Sequence, residues 1–351
     1  MNPYEILPEK AFWKLTVGSK NPLELAELWD PKFSINPTHR ISTFGSCFAQ
    51  YIGSALKAQN YSWYCAENAP PSFSDANKRK YNFENFSART GNIYTTTLLE
   101  QWVDWALDYQ KIPVEIWEQD DRFFDPFRPT VEPDGFATVE ELNKTRLQTI
   151  KAFRNCLVES DVFVFTLGLT ERWINTLNGY EYPICPGTVA GEYSEKYHDF
   201  SNLSYIEVYE ALVRTMNKIK SVNKNIKFLF TVSPVPLTAT NSKQHVVVAT
   251  MSSKSTLRSV ADAIIKTESN ADYFPSYEII CSPFYRGAFF EPNVRTVSRY
   301  GVNHVMNVFF DSLHKKYGKS EIVETNVNKE ILTSESFQDL PCEEQLLDAF
   351  G

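Results

Sequence analysis

The chain has 351 residues, of which 43% are hydrophobic and 22% are charged, a composition typical of globular proteins. Its formal net charge of −8, without a long Lys/Arg run, excludes the basic surface that a nucleic-acid partner requires. No stretch approaches the roughly 18 apolar residues of a membrane span, and the opening MNPYEILPEKAFWKL lacks a signal-peptide pattern. We therefore expect a cytoplasmic protein without a membrane span.

Short apolar runs predict buried strands, and the first of them is RISTF at 40–44. A helix is predicted directly after it, from about 47 to 59, because Phe48, Ile52 and Leu56 share one face. Further strands are predicted at YSWYC (61–65), DVFVFTLG (161–168), IKFLFTVSP (226–234) and ADYFPSYEIIC (271–281). Further helices are predicted at about 95–109, 138–157, 204–222, 253–268 and 301–316.

Strands that alternate with helices predict an α/β fold with a parallel sheet. We expect a three-layer, flavodoxin-like sheet of about five strands with helices on both faces. Segments 110–136 and 174–203 interrupt the alternation and are predicted to be ordered excursions over the sheet edge. The simplest division is one domain over 39–320, between an N-terminal extension (1–38) and a polar C-terminal tail (321–351).

The cysteines are spread along the chain, at positions 47, 65, 156, 185, 281 and 342, without a C-x-x-C pair. This spacing predicts neither a metal site nor a disulfide framework. Most of these residues are expected to be buried as small apolar side chains. Cys47 is the exception, because it directly follows the first predicted strand.

Polar residues follow three of the predicted strands, at Gly45-Ser46-Cys47, at Gly168-Leu169-Thr170-Glu171 and at Ser233-Pro234. The carboxyl ends of parallel strands meet at one edge of a sheet, where ligands bind. A helix that begins near Cys47 would lower the pKa of a thiol and stabilise an oxyanion at its N-terminus. The pattern therefore predicts nucleophilic chemistry at Ser46-Cys47.

The run FGSCFA resembles the motif that names the GSCFA family, which belongs with the SGNH (GDSL-like) hydrolases. The resemblance continues in order through roughly residues 40 to 310. Its segments are GNIYT (91–95), DPFRP (125–129), FTLGLTERW (165–173), CPG (185–187), TVSPVPLTAT (231–240), HVVVATMSSKSTLR (245–258) and YFPSYE (273–278). The resemblance implies an SGNH-type sheet and an acyl-ester hydrolase or O-acyltransferase that acts through a covalent acyl-enzyme.

The SGNH blocks imply site residues position by position. The first block, G-D-S, implies Cys47 as the nucleophile when it is aligned on Gly45-Ser46-Cys47, and Ser46 stays an alternative. In the third block, G-x-N-D, Thr170 stands where the family pattern has an oxyanion-binding Asn. The oxyanion- and substrate-binding positions implied by the second and third blocks are Gly91, Asn92, Gly168, Thr170 and Glu171.

The fifth block, D-x-x-H, implies His304 as the general base, and His245 is the competing candidate. The residue three positions before His304 is Gly301 instead of Asp. Either the site works as a Cys–His dyad, or another carboxylate orients the imidazole, or neither histidine takes part. The candidate carboxylates are Glu278, Glu171 and Asp272.

The expected substrate is a small molecule or carbohydrate, preferably an acylated carbohydrate, in view of the resemblance and the aromatic content of 14%. No cofactor is predicted, although a transferase would use an acyl donor such as an acyl-CoA. The alternative is a catalytically inactive SGNH-like module that binds a glycan or a protein partner. The substitution at Thr170 and the missing Asp favour that alternative.

Overall fold

A parallel four-stranded sheet forms the centre of the computed structural model, which describes residues 2–319 and 342–350. The strands, numbered along the chain, are β1 (Ile41–Gly45), β2 (Trp117–Gln119), β3 (Arg122–Phe124), β4 (Val162–Leu167), β5 (Glu171–Asn175), β6 (Glu181–Tyr182), β7 (His198–Asn202), β8 (Lys227–Val232) and β9 (Ala271–Tyr273). The central sheet has the order β1-β4-β8-β9, with every neighbouring pair parallel.

Helices cover both faces of this sheet. They are α1 (Phe48–Ala58), α2 (Asp75–Lys80), α3 (Thr96–Ala106), α4 (Val139–Glu159), α5 (Tyr205–Val222), α6 (Val246–Thr267), α7 (Ser276–Cys281) and α8 (Arg299–Tyr317). On β4, Phe163 and Phe165 pack with α3, α4, α5 and α6, whereas Val162 and Val164 pack with α1, α7 and α8. Alternate side chains of one strand are therefore buried on opposite faces, which confirms the predicted three-layer α/β fold.

Two of the predicted strands differ from the structure. The segment 61–65 forms only a single bridge, between Trp63 and Ile41 of β1, so the sheet has four strands instead of five. The segment 271–281 pairs only as far as Tyr273 and then turns into α7. Pro275 precedes that helix and has no N–H to extend the ladder, so the strand ends before it.

The predicted helices are present, and the start of α6 is the largest difference. It begins at Val246 instead of near residue 253, with His245 as its N-cap. Ser253 is therefore an interior helical residue, and its hydroxyl accepts a hydrogen bond from the amide of Thr170 at 3.1 Å. The valines after His245 have modest helix propensity, so local preference does not predict a helix there. The first turn of α6 is helical because Ala249 is buried against the rest of the protein.

The two excursions form small antiparallel elements beside the central sheet. Strands β2 and β3 pair as a hairpin, and β6-β5-β7 form a three-stranded sheet directly after β4. The described end of the chain, Glu343–Phe350, is a 3₁₀ helix, whereas most of the predicted tail, residues 320–341, lies outside the described residues. Within 2–319 and 342–350, none of the helices has the length and apolar content needed to span a bilayer.

Gly45 ends β1 in a backbone conformation that favours glycine, with φ of 123°. An added Cβ there would lie 2.3 Å from the carbonyl oxygen of Thr166 on β4. We expect Gly45→Ala to lower the free energy of unfolding by about 2–3 kcal/mol, measured by urea denaturation. Gly179→Ala is the matched control because φ is 75° but no atom lies within 4 Å of its Cβ, so a loss of about 1 kcal/mol is expected. Equal losses would contradict the steric explanation.

Candidate active site

The turn between β1 and α1 places Cys47 at the carboxyl edge of the central sheet. Cys47 is the N-cap residue of α1, and its carbonyl accepts a hydrogen bond from the Gln50 amide at 3.1 Å. In the part of the chain that the structure describes, the amides of Cys47 and Phe48 donate to no acceptor. These two N–H groups at a helix N-terminus form a candidate site for an oxyanion.

Ser46, the alternative nucleophile, faces the interior of the protein. Its amide donates to Thr166 at 3.0 Å, and its hydroxyl oxygen is buried without a partner among residues 2–319 and 342–350. Its Cβ is only 3.0 Å from the position of a Cβ added to Gly168, so no ligand fits between them. Cys47 instead borders a narrow cavity that is also lined by Tyr51 and Arg295. Of the two candidate nucleophiles, Cys47 is therefore the one that borders open space.

A second thiol, Cys342, lies against Cys47. A hydrogen bond to Cys342, together with burial, raises the pKa of the Cys47 thiol well above its ordinary value, and the charge of Glu344 adds to this effect. The same hydrogen bond lowers the pKa of Cys342 to about 7. Tyr94 Oη is 3.4 Å from the sulfur of Cys342. In this buried pair, Cys47 therefore stays protonated, whereas Cys342 ionises near neutral pH.

Three charged side chains surround the thiol pair. Glu344 Oε2 is 3.6 Å from Arg295 Nη2, and Lys254 Nζ donates to the carbonyl of Gly168 at 2.7 Å. Burial, with the charge of Cys342, raises the pKa of Glu344 to about 8, and burial lowers the pKa of Lys254 to about 8. The positive charge of Arg295 favours the thiolate of Cys47. This cluster contains the cations that an anionic intermediate would need.

The predicted oxyanion residues Gly91 and Asn92 lie next to this cluster, and a carboxylate occupies their position. The Asn92 amide donates to Glu343 Oε2, and the Tyr94 hydroxyl donates to the same oxygen at 3.0 Å. Thr130 Oγ1 donates to Glu343 Oε1 at 3.0 Å. A Cβ on Gly91 would lie 3.1 Å from that oxygen, so glycine gives the carboxylate room.

In the third predicted block, 168–171, the backbone amides of the first two residues are already hydrogen-bonded within the protein. The amides of Gly168 and Leu169 both donate to the carbonyl of Tyr94 at 3.0 Å, so neither is available to an oxyanion. The Thr170 side chain is buried close by. Glu171 accepts a hydrogen bond from Thr240 at 2.5 Å, and burial raises the pKa of its carboxyl.

In the described residues, the contacts of both candidate histidines are with groups other than the thiol pair. His304 stacks on Phe289 with ring centroids 4.8 Å apart and also contacts Tyr285, and burial lowers its pKa. His245 is exposed and caps α6 by accepting the amide of Val247 at 3.2 Å. Within the described ranges, no hydrogen bond joins either histidine to Cys47.

The carboxylates proposed to orient a histidine have other partners. Glu278 accepts from Arg258 at 2.5 Å and from the Tyr273 hydroxyl at 2.8 Å. Asp272 accepts the amide of Lys32 at 2.8 Å. The predicted residues that the structure brings together are therefore Cys47, Gly91 and Asn92, with Gly168 and Thr170 behind them.

A large cavity of about 700 Å³ opens beside the thiol pair. The β6-β5-β7 sheet forms one wall, and the loops after β4 and β8 form another. Tyr94 and Glu344 line the cavity and also belong to the cluster around Cys47, so the two spaces adjoin. Its aromatic lining consists of Tyr94, Trp173, Tyr182, Tyr193, Phe200 and Phe350.

Most of the groups around Cys47 are not predicted from the sequence. Cys342, Glu343 and Glu344 lie in the predicted polar tail, and Lys254 lies in a predicted helix where no pattern singles it out. One available signal was the Cys at the start of CEEQLLDAF, since a thiol directly before an amphipathic run is unusual in a solvated tail. Tyr94 lies inside the segment GNIYT, which carried part of the resemblance.

Comparison with known proteins gives one match. The model of the GSCFA family matches residues 40–309, which is most of the chain and ends before the segment that contains Cys342. No curated protein and no solved structure matches the chain.

Proposed function

Because this chain belongs to the GSCFA family, we propose that it is an acyl-transfer enzyme in which Cys47 forms a covalent thioester. The observation that supports this best is the position of Cys47. Its thiol stands at the N-terminus of α1, beside two unpaired backbone amides and near Arg295. We include in the proposal the kinship with SGNH hydrolases that the sequence motifs suggest.

In the proposed reaction the Cys47 thiolate attacks the carbonyl carbon of an acyl ester, and a C–S bond forms. The amides of Cys47 and Phe48 stabilise the negative charge on the carbonyl oxygen, together with Asn92. The C–O bond to the alcohol then breaks, and the alkoxide takes up from solvent the equivalent of the proton that the Cys47 thiol released to it before the attack. Water or a second alcohol attacks the thioester in turn, which releases an acid or a new ester and returns the thiol.

The proposed substrate is an acylated carbohydrate. The cavity beside Cys47 has a volume of about 700 Å³, and several aromatic rings line it. Aromatic faces pack against the apolar faces of sugar rings, and Glu171 and Arg172 at the same wall can hydrogen-bond to hydroxyl groups. An acyl-CoA donor remains a prediction for the transferase form of the reaction.

The proposal is tested by trapping the acyl-enzyme on the reduced, full-length protein. The protein is mixed with an activated acetyl ester, or with acetyl-CoA, and quenched in acid before peptide mapping by mass spectrometry. We expect a single acetyl group on the peptide that contains residues 46–47, removable by neutral hydroxylamine as a thioester is. An acetyl group that resists hydroxylamine would assign the chemistry to Ser46, and absence of any adduct on this peptide would refute the proposal.

A binding module without catalysis is the second candidate function. It is favoured by the absence of a hydrogen bond from Cys47 to His304 or His245 in residues 2–319 and 342–350. A module would retain glycan binding in the large cavity and would form no adduct. Isothermal titration with unacylated oligosaccharides, combined with the trapping experiment, separates the two candidates.

A further inference from the structure

The described end of the chain lies over Cys47. We call residues Cys342–Phe350 the closing segment. Its first residue, Cys342, is buried in the same small apolar cluster as Cys47 and lines the same narrow cavity, with its sulfur 3.4 Å from Tyr94 Oη. Cys47 is itself buried under this contact. A reagent that approaches the thiol from the narrow cavity meets Cys342 and Gln345 at its wall.

The next residue of the closing segment fills a site built for a carboxylate. Glu343 is buried, and its two oxygens accept hydrogen bonds from Asn92, Tyr94 and Thr130, which come from the matched family domain. The missing side chain of Gly91 leaves space for one of these oxygens. The acid product of an ester hydrolysis carries the same group, so Glu343 resembles a bound product.

The rest of the closing segment continues along the substrate path. Glu344 is buried beside Arg295 and takes part in the charge cluster with Lys254. Leu347 and Phe350 line the large cavity. The segment therefore contacts the thiol, the carboxylate site and the cavity at once.

We propose that the closing segment is a built-in cover of the active-site thiol, and that a disulfide between Cys47 and Cys342 locks it in place under oxidising conditions. We further propose that closure stops acyl transfer, which rests on the function proposed above. Closure and disulfide formation themselves do not depend on it.

The disulfide would form by exchange with a low-molecular-weight disulfide as the oxidant. The Cys342 thiolate attacks one sulfur of the oxidant when the segment is open, an S–S bond of the oxidant breaks, and one thiol leaves. As the segment closes, Cys342 is no longer a thiol that can hydrogen-bond to Cys47. Cys47 gives its proton to solvent and attacks the Cys342 sulfur of the mixed disulfide, and a second thiol leaves. The protein loses two electrons and two protons, and the oxidant is reduced to two thiols.

The electrostatics of the closed state agree with a protective role. The hydrogen bond to Cys342 and the charge of Glu344 both raise the pKa of Cys47, so the cover holds this thiol in its unreactive protonated form. Opening removes both effects and leaves the positive charge of Arg295 and the amides of α1 next to the sulfur.

The first arm of the test is oxidation of the full-length protein with oxidised glutathione, followed by peptide mapping without reductant. We expect one linked pair of peptides, containing Cys47 and Cys342, and its loss in Cys342→Ser. Cys185→Ser is the control and should leave the linked pair unchanged, because Cys185 lies in the wall of the large cavity. If glutathione is attached to Cys342 but no disulfide joins Cys342 to Cys47, the proposed disulfide lock is refuted.

The second arm measures the rate at which iodoacetamide alkylates Cys47 in the reduced, folded protein. Glu343→Ala removes the carboxylate that anchors the cover, so the rate should rise at least about tenfold. Asp348→Ala, in the exposed part of the same segment, should change the rate less than about twofold. Circular dichroism confirms that the variants are folded, and an unchanged rate in folded Glu343→Ala would overturn the cover.

The two proposals fail in different ways. If the linked peptides form and Glu343→Ala opens the site, but no acetyl adduct is ever trapped, the cover stands and the acyl-transfer proposal fails. If oxidised protein containing the disulfide still forms the adduct at the rate of the reduced protein, the cover is refuted and acyl transfer stands.

Discussion

Cys47→Ala is expected to lower the rate of the proposed acyl transfer by at least about a thousandfold, because removal of the proposed nucleophile leaves only binding and oxyanion stabilisation. The rate is measured as release of the alcohol from an activated ester, in single turnover and with reductant present. Reductant keeps Cys47 and Cys342 as thiols. A small side chain at position 47 also fits the buried turn, so the variant should fold.

Ser46→Ala provides the matched control for this experiment. The Ser46 hydroxyl is buried and has no hydrogen-bond partner in the described part of the chain, so its removal breaks no hydrogen bond there. We expect a rate within about threefold of the unmodified protein and little change in stability. A large loss in Ser46→Ala together with a retained rate in Cys47→Ala would reverse the assignment of the nucleophile.

Asp125→Ala is expected to lower the free energy of unfolding by about 3–5 kcal/mol, because it leaves two buried arginines without their counter-ion. Asp125 Oδ2 is 2.7 Å from Arg128 Nε, and Oδ1 is 2.9 Å from Arg146 Nη2. All three side chains are buried in the segment DPFRP and the helix α4 that packs on it. Urea denaturation followed by circular dichroism measures the change.

Lys266→Ala is the control for the buried ion pair. Lys266 pairs with Asp262 at 2.5 Å, but its side chain is 71% exposed, so water screens the interaction. We expect a loss below about 1 kcal/mol. Similar losses in Lys266→Ala and Asp125→Ala would show that burial of the charge network is not the cause.

The stability supplied by Asp125 should depend on pH in a defined direction. Burial alone would raise the pKa of this carboxyl, but the charges and hydrogen bonds of Arg128 and Arg146 outweigh burial and hold the pKa below its ordinary value. A carboxyl with a lowered folded-state pKa stabilises the protein above its unfolded pKa of about 3.9 and loses that contribution as pH falls further. The difference in stability between the unmodified protein and Asp125→Ala should therefore shrink below about pH 4.

The strands and most helices could be predicted because their signals are local. In DVFVFTLG every residue from Val162 to Leu167 is buried, and continuous apolar runs of this length are typical of a parallel strand covered on both faces. The predicted boundaries of strands and helices were wrong where the local sequence signal was weak. Residues 61–65 have the composition of a strand but find only one bridge to β1, and the start of α6 depends on packing of its first turn.

The sequence by itself determined the fold class, the family and the position of Cys47, because the turn, the following helix and the thiol are adjacent in the chain. Only the tertiary structure decided what surrounds that thiol. Tyr94 and Cys342 are 248 residues apart in sequence, and no periodicity or propensity encodes such a contact. It arises because residues 342–350 pack over the edge of the sheet, where Glu343 accepts hydrogen bonds from two separate loops. Burial of these polar groups requires that each find a partner, and that requirement operates between distant segments.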